Sequence, residues 1–123
     1  MAATVQAKTV HSGESRTFRV TVRLESDASL VDLTTATAIE FQVKTVIGGA
    51  DPALIALAIG TGITVLPQVG LTLGQFDINL LPSHTSALSG AYYYDVVVVL
   101  TGGKRYYVVP PSRFNVSLVV NQV

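Results

Sequence analysis

Few side chains in this sequence are suited to acid–base or nucleophilic chemistry, and they are scattered. The 123 residues include two histidines, His11 and His84, and no cysteine. His84 lies between Ser83 and Thr85, but no nucleophile-elbow motif surrounds this group. A triad is assembled by the fold, so sequence neighbours are weak candidates for one. We expect Ser83 or Thr85 to support the start of a short helix instead.

The acidic residues do not cluster as a metal or catalytic site requires. Glu25, Asp27 and Asp32 form one loop group, "ESDASLVD", which could hold a weak calcium ion but is more typical of a solvated loop. Asp77 and Asp95 lie mid-strand, where outward carboxylates or cross-strand partners of Lys or Arg are expected. The glycine pairs lack the helix start and lysine of a phosphate loop. The sequence therefore predicts no enzyme, no metal site and no cofactor.

Composition restricts the partners that the chain can bind. Eight basic and eight acidic residues give zero formal net charge, and charged residues make up only 13% of the chain. A nucleic-acid binder needs a basic excess, so nucleic acid is not expected as a partner. Hydrophobic residues make up 49%, which argues against disorder. A charge-poor surface of this kind favours assembly over a dispersed monomer.

No membrane segment or signal peptide is expected. The uncharged stretch from Pro52 to Phe76 is interrupted by glycines and prolines, and its longest apolar run, "ALIALAI", has the length of a strand. A spanning helix needs roughly 20 mostly apolar residues. The N-terminus, "MAATVQAKTVHSGESR", lacks a charged start followed by an apolar run.

The elements that must position these side chains are strands, because the apolar residues repeat with a period of two. Alternation is clear in "RTFRVTVRL", "AIEFQVK", "QFDINL" and "RFNVSLVV". In the last of these, Phe114, Val116, Leu118 and Val120 are predicted to share one face. Gly102 and Gly103 predict a hairpin that pairs "YYYDVVVVL" with "RYYVV". Pro110 and Pro111 are then expected to break or bend the chain before the final strand.

One short helix is predicted over "LPSHTSALSG". Pro82 suits the first turn of a helix, and Gly90 can close its C-terminus. Leu81 and Leu88 could face the core. With strands at regular spacing around it, this single helical turn indicates an antiparallel sandwich or barrel.

The stretch "SGAYYYDVVVVL" is apolar on both faces. Its core face is predicted to carry Tyr92, Tyr94, Val96, Val98 and Leu100. Its second face would carry Tyr93, Asp95, Val97 and Val99, joined by Tyr107 and Val109 from the hairpin partner. Either the "PALIALAI" region or the short helix covers this second face, or a second chain does. The abundance of tyrosine favours contact with another chain.

The order of these segments resembles a family of small tailed-phage virion domains. They are the N-terminal β-sandwich of phage baseplate upper proteins and related Ig-like phage structural proteins. Leu88, Gly90, Tyr92, Tyr94 and Asp95 match a pattern "L-x-G-x-Y-x-Y-D". The resemblance extends from Phe18 to Val120, although the family usually has polar residues where this chain has Val97 and Val99. It implies a structural virion protein, repeated by symmetry and without catalysis.

We therefore expect an all-β, Ig-like antiparallel β-sandwich of about seven strands with one short helical turn. Residues 1–123 would form a single domain, with 1–10 as an N-terminal arm or edge strand. The expected function is a non-enzymatic virion component, made in the bacterial host cytoplasm, that binds copies of itself or other virion proteins in a homo-oligomer or symmetric array. Its predicted contacts are Tyr93, Val97, Val99, Tyr107 and Val109, with "IGGADP" and "MAATVQAK" as secondary candidates. A carbohydrate-binding or adhesion module is the alternative, and a small hydrolase comes third.

Overall fold

The computed structural model describes residues 7–23, 28–48 and 52–118, and within them eight strands join in one hydrogen-bonded ladder. In chain order the strands are β1 (Lys8–His11), β2 (Arg16–Thr21), β3 (Ala36–Lys44), β4 (Ile55–Ile59), β5 (Gly62–Val65), β6 (Gln75–Leu80), β7 (Gly90–Leu100) and β8 (Lys104–Ser117). A single turn of α-helix, α1 (Pro82–Thr85), connects β6 to β7, and short 3-10 turns lie at Leu33–Thr35 and Gly70–Thr72.

The ladder folds over on itself to make two layers. Its order is β1-β8-β7-β3-β4-β5-β6-β2, and the fold-over comes at the β4–β5 junction, where Ala58 pairs with Gly62 and Ile59 with Ile63. The connection there is only Gly60 and Thr61, and Gly60 and Gly62 have φ of +83° and +93°, values that glycine adopts without strain. One buried cluster draws side chains from both halves of the ladder. The fold is therefore a β-sandwich, as predicted.

The alternation in the sequence explains which side chains form the core. In β3 the core positions are Ile39, Phe41 and Val43, and in β6 they are Phe76, Ile78 and Leu80, all of them buried. The intervening residues are partly exposed. In β7 the predicted core face is also confirmed, since Tyr94, Val96 and Val98 are buried, while Tyr92 and Leu100 pack against the cluster.

Three aromatic rings pack together on the core side of β3, β7 and β8. The ring centroids of Phe41, Tyr94 and Phe114 lie 5.6 to 6.0 Å apart in tilted and edge-to-face arrangements. Such pairs add roughly 0.5–1.5 kcal/mol each beyond the area they bury. Burial raises the pKa of Tyr94 to about 12, so its phenol stays neutral. Ring packing thus holds together β3, β7 and β8, the three strands that carry the candidate site.

The prediction for the short helix needs several corrections. Helix α1 ends at Thr85, and Gly90 begins β7 instead of closing the helix. Leu81 is exposed, while Leu88 packs against the core as predicted. Neither Ser83 nor Thr85 caps the helix start, because the Nδ1 atom of His84 accepts the backbone N–H of Leu81 at 2.9 Å.

The predicted hairpin is confirmed, but its second strand is not broken at the prolines. Pro110 and Pro111 lie inside β8, opposite Asp95, where the register with β7 shifts. A second shift follows at once, because Val96 pairs with Val109 and Val97 pairs with Tyr107. A β-bulge rotates the residues beyond it relative to the partner strand. The placement of Val109 on the second face is therefore wrong: this side chain is 2% exposed and belongs to the core.

The final predicted strand is also shorter than its alternation suggests. Phe114 and Val116 are buried as expected, whereas Leu118 is exposed because β8 ends at Ser117. Val120 lies outside the described residues. At the other end of the chain, β1 pairs in parallel with the last part of β8, from Lys8 opposite Phe114 to His11 opposite Ser117.

Candidate functional site

The candidate site is the surface of β3, β7 and β8 that points away from the core, here called the outer face. Its strand residues are Glu40, Gln42 and Lys44 from β3, Tyr93, Asp95, Val97 and Val99 from β7, and Arg105, Tyr107, Pro111 and Arg113 from β8. They are placed there by period-two alternation against the core residues of the same strands. In β8 the bulges shift this alternation, so that Tyr107 faces outward and both Val108 and Val109 face inward.

Val97 is buried on the outer face without belonging to the core. It is 3% exposed and lies outside the main hydrophobic cluster. Its cross-strand partners are Glu40 on β3 and Tyr107 on β8. Long side chains at directly opposite positions come close enough to cover a smaller one between them. Neither the "PALIALAI" region nor the short helix is among the residues that line the outer-face cavity together with Val97.

Tyrosine and arginine side chains dominate the exposed part of the outer face. Tyr107 is 46% exposed, and the Arg105 guanidinium lies 5.8 Å from its ring centroid. Tyr93 is half-buried, with the Arg113 guanidinium 5.9 Å from its ring. Contacts of this kind contribute roughly 0.5–1 kcal/mol at exposed sites. Each arginine therefore helps to hold a tyrosine ring in place on the surface.

A shallow cavity of about 270 Å³ lies at the centre of the outer face, beside Asp95. Burial raises the pKa of Asp95, and the nearby charge of Glu40 adds to this effect, while Arg105 and Lys44 oppose it. The Asp, Glu, Lys and Arg side chains in the cavity wall are thus two acids and two bases. The charges of the cavity wall are mixed and balanced, as are those of the whole chain, whose formal net charge is zero.

Two exposed apolar residues at the end of β3 extend this surface. Val46 is 61% exposed and Ile47 is 55% exposed, and both line the same cavity. Ile47 begins the predicted secondary contact segment "IGGADP", of which residues 49–51 lie outside the described residues, whereas Val46 was not predicted. Together with Tyr93, Val99 and Tyr107 they form an apolar patch with charged groups among them, the composition expected of a contact surface.

Thr85 and Asp32, whose side chains are of types that can take part in chemistry, have structural roles. The Thr85 Oγ1 atom accepts the backbone N–H of Gly13 at 2.9 Å, and the Ser12 hydroxyl donates to the Thr85 carbonyl at 3.0 Å. These bonds tie the loop after β1 to helix α1. In the acidic loop, Glu25 and Asp27 lie outside the described residues, and Asp32 accepts hydrogen bonds from Thr34. Among residues 7–23, 28–48 and 52–118, no three His, Cys, Asp or Glu side chains are grouped as metal ligands.

Asp77 is a cross-strand ion-pair partner, one of the two roles expected for it. It lies opposite Arg19 in the β2–β6 ladder, and the two form a bidentate pair at 2.8 and 3.0 Å. The hydrogen bond from Arg19 lowers the pKa of Asp77, against a smaller opposing effect of burial. Within the described part of the chain, no helix has the length and apolar character needed to cross a membrane.

Comparison with known proteins gives information about the fold. No protein-family model and no curated protein matches the chain. A solved structure of a chicken TCR is similar to it, with a TM-score of 0.50 and 16% sequence identity. The match covers 96% of this chain and 55% of the TCR chain, so this chain spans about half the length of that protein. A likeness at this identity concerns the fold and carries no function. The chain therefore has an Ig-like β-sandwich fold.

Proposed function

We propose that this protein is a non-enzymatic structural component of a tailed-phage virion, and that it assembles through its outer face. The observation that carries the proposal is the patch of exposed Tyr107, Val46 and Ile47 beside half-buried Tyr93 and Val99. Surface tyrosines combine a large apolar area with a polar tip. They therefore suit a surface that is exposed to water in the free protein and buried in the complex. The resemblance in "L-x-G-x-Y-x-Y-D" supports the assignment to phage structural proteins.

A second copy of the chain is the partner that the charges of the outer face fit best. Glu40 and Asp95 lie on the same face as Lys44 and Arg105. In a two-fold symmetric contact the same patch meets itself, so each patch must carry both signs of charge. With Arg113 included, the outer face has two acids and three bases and so carries both signs of charge, whereas a patch of one sign would repel its copy.

Light scattering on the whole protein tests this proposal. We expect the unmodified chain to form a defined oligomer and a variant with Val99→Lys and Tyr107→Lys to be a folded monomer. These positions are preferred to Val97 because a lysine in place of that buried side chain would also unfold the domain. The matched control carries Val69→Lys and Leu71→Lys, two exposed apolar positions elsewhere on the surface, and should remain oligomeric.

Two results would contradict the proposal. If the unmodified chain is monomeric at all accessible concentrations, assembly with its own copies fails. If the chain is also missing from purified phage particles analysed by mass spectrometry, the virion role fails with it.

A carbohydrate-binding or adhesion module is the second candidate. The cavity beside Asp95, with carboxylates and tyrosines in its wall, favours this function. Sugars bind aromatic rings through an open ring face, however, and Arg105 and Arg113 already lie near the rings of Tyr107 and Tyr93. Binding in a glycan array by a monomeric protein, lost on Tyr107→Ala, would favour this candidate over assembly.

A further inference from the structure

A second surface of the molecule, distinct from the outer face, lies where the two ends of the ladder meet. Strand β2 ends the ladder on one side and β1 ends it on the other, and they approach each other at Lys8, whose Nζ atom lies 5.1 Å from the ring centroid of Phe18. Between the two layers at this side is an opening of about 230 Å³, here called the edge groove. Its apolar lining includes Phe18, Val20, Ile78, Val96, Val108 and Val109.

The two strands beside the edge groove, β2 and β8, differ in how well their backbones could pair with a further strand. Among the described residues, β2 is paired only with β6, so one edge of its backbone is not engaged in the ladder. The nearby part of β8 is less suited to pairing, because Pro110 and Pro111 have no N–H to donate. A strand added here would therefore hydrogen-bond to β2 and place alternate side chains into the groove.

The charge beside the edge groove indicates which strand would bind. Its charged lining residues are Lys8, Arg19 and Arg23, with no acidic side chain among the lining residues. Arg19 is already paired with Asp77. Lys8 and Arg23 remain as the cations near the groove, and the described residues give neither of them a carboxylate partner.

The same charges argue against a second copy of β2 as the occupant. In β2, Arg16 and Arg19 are paired with Glu14 and Asp77, but a second copy would bring its own Lys8 and Arg23 to this edge. Two β2 edges brought together would oppose like charges, which destabilises strand pairing. The occupant must instead bring negative charge to this edge.

We infer that the edge groove binds an extended segment of a partner protein, with apolar side chains at alternate positions and a carboxylate at each end. The apolar side chains enter between Val20 and Val108, and the carboxylates reach Lys8 and Arg23. This surface is independent of the outer face, so the inference does not rest on the proposed assembly.

Fluorescence anisotropy with two labelled peptides tests the inference on the whole chain. The probe is DTVTVTE, and its control, KTVTVTK, keeps the apolar pattern and reverses the end charges. We expect DTVTVTE to bind more tightly, by about twofold to fivefold for each exposed ion pair. In a variant with Lys8→Glu and Arg23→Glu the order of the two peptides should reverse. In NMR spectra of the unmodified protein, DTVTVTE should shift the signals of Val20 and Val108 and leave those of Tyr107 unchanged.

Several results would overturn the inference. Saturable binding of neither peptide up to millimolar concentration, or equal binding of both, would remove the charge argument. Binding that appears only after deletion of residues 1–6 would show that the chain's own N-terminal segment fills the groove. A change of oligomeric state in the charge-reversed variant would identify a second copy as the occupant.

Discussion

Val97 and Tyr107 are direct partners across the β7–β8 ladder, yet Val97 is 3% exposed and Tyr107 is 46% exposed. Both side chains line the cavity on the outer face, where only the tyrosine is exposed. A buried valine on the outer face is thus part of the protein's own packing, while the tyrosine opposite it is available to a partner. The contact function proposed for this face belongs to Tyr107 and its exposed neighbours.

This relationship predicts that the outer-face valines of β7 differ in their effect on stability. Val97→Ala should lower the free energy of unfolding by about 1–3 kcal/mol, because it removes buried methyl groups and leaves a cavity. Val99→Ala, at a half-buried position, should cost less than about 0.5 kcal/mol. Urea denaturation of the two variants measures the difference. Equal losses would mean that Val97 is not covered in solution.

Gly62 at the fold-over between the layers should be far less tolerant of substitution than Gly60. Both have positive φ, so an alanine is strained at either position. A Cβ atom on Gly62 would lie 2.8 Å from Leu57 Cδ2, whereas one on Gly60 would have no atom within 4 Å. Gly62→Ala should therefore cost at least about 1 kcal/mol more than Gly60→Ala in thermal or urea unfolding.

A double-mutant cycle with Leu57→Ala checks the cause of that difference. If the clash is real, Gly62→Ala should cost much less in the Leu57→Ala background than in the unmodified chain. Additive losses would place the cost in the backbone alone.

Asp95 should make the stability of the protein fall as the pH rises. Its pKa is raised in the folded state, chiefly by burial. A group with a raised pKa contributes stability that is fully present below its unfolded pKa and is lost as the pH rises through its folded pKa. Asp95→Asn should therefore resemble the unmodified protein at acidic pH and become relatively more stable toward neutral pH. Free energies of unfolding measured across the carboxyl titration range test this.

Asp77 provides a control of opposite sign. Its pKa is lowered, chiefly by the hydrogen bond from Arg19, so its contribution is present above the unfolded pKa and is lost as the pH falls through the folded pKa. Asp77→Asn should accordingly be less stable than the unmodified protein near neutrality, with the deficit shrinking in acid and in high salt. The same sign of pH dependence for both variants would contradict the assigned environments.

Tyr92 should stabilise the connection between α1 and β7 through its hydroxyl group. The hydroxyl donates to the Ser89 carbonyl at 2.9 Å and accepts the Ser89 N–H at 3.1 Å. Ig-like folds use a tyrosine at this corner in a similar way. Tyr92→Phe should cost about 0.5–1.5 kcal/mol. Tyr106→Phe is the control, since the described residues supply no hydrogen-bond partner to that hydroxyl, and a loss of equal size there would contradict the assigned role.

The sequence pattern was sufficient to predict which strand residues face the core, because alternation depends only on local spacing. Phe41, Phe76 and Val98 could be assigned to the core from their neighbours alone. The error at Val109 has a different origin: the inward rotation of that residue depends on two register shifts in the pairing with β7. Those shifts come from long-range pairing around Pro110 and Pro111, and strict alternation along β8 could not predict them.

The candidate site was predicted in outline for the same reason. Tyr93, Val99 and Tyr107 were placed on the outer face by alternation. The burial of Val97 could not be predicted without knowing that Glu40 and Tyr107 are its cross-strand partners. The edge groove was not predicted, because it depends on the approach of β1 and β2 from opposite ends of the ladder. Pairings of this kind leave no local signal in the sequence.

The meeting of the two ladder ends also has a consequence for the order of folding. The β7–β8 hairpin is closed by the short turn at residues 101–103, while the Arg19–Asp77 pair joins residues 58 positions apart and β1 joins the start of the chain to the end of β8. Closing long loops costs more chain entropy, so pairings of this kind form late and slow the folding reaction. We expect substitutions at Val98 to slow refolding in stopped-flow experiments and those at Arg19 mainly to speed unfolding. The side of the sandwich that contains the edge groove would then be the last to close.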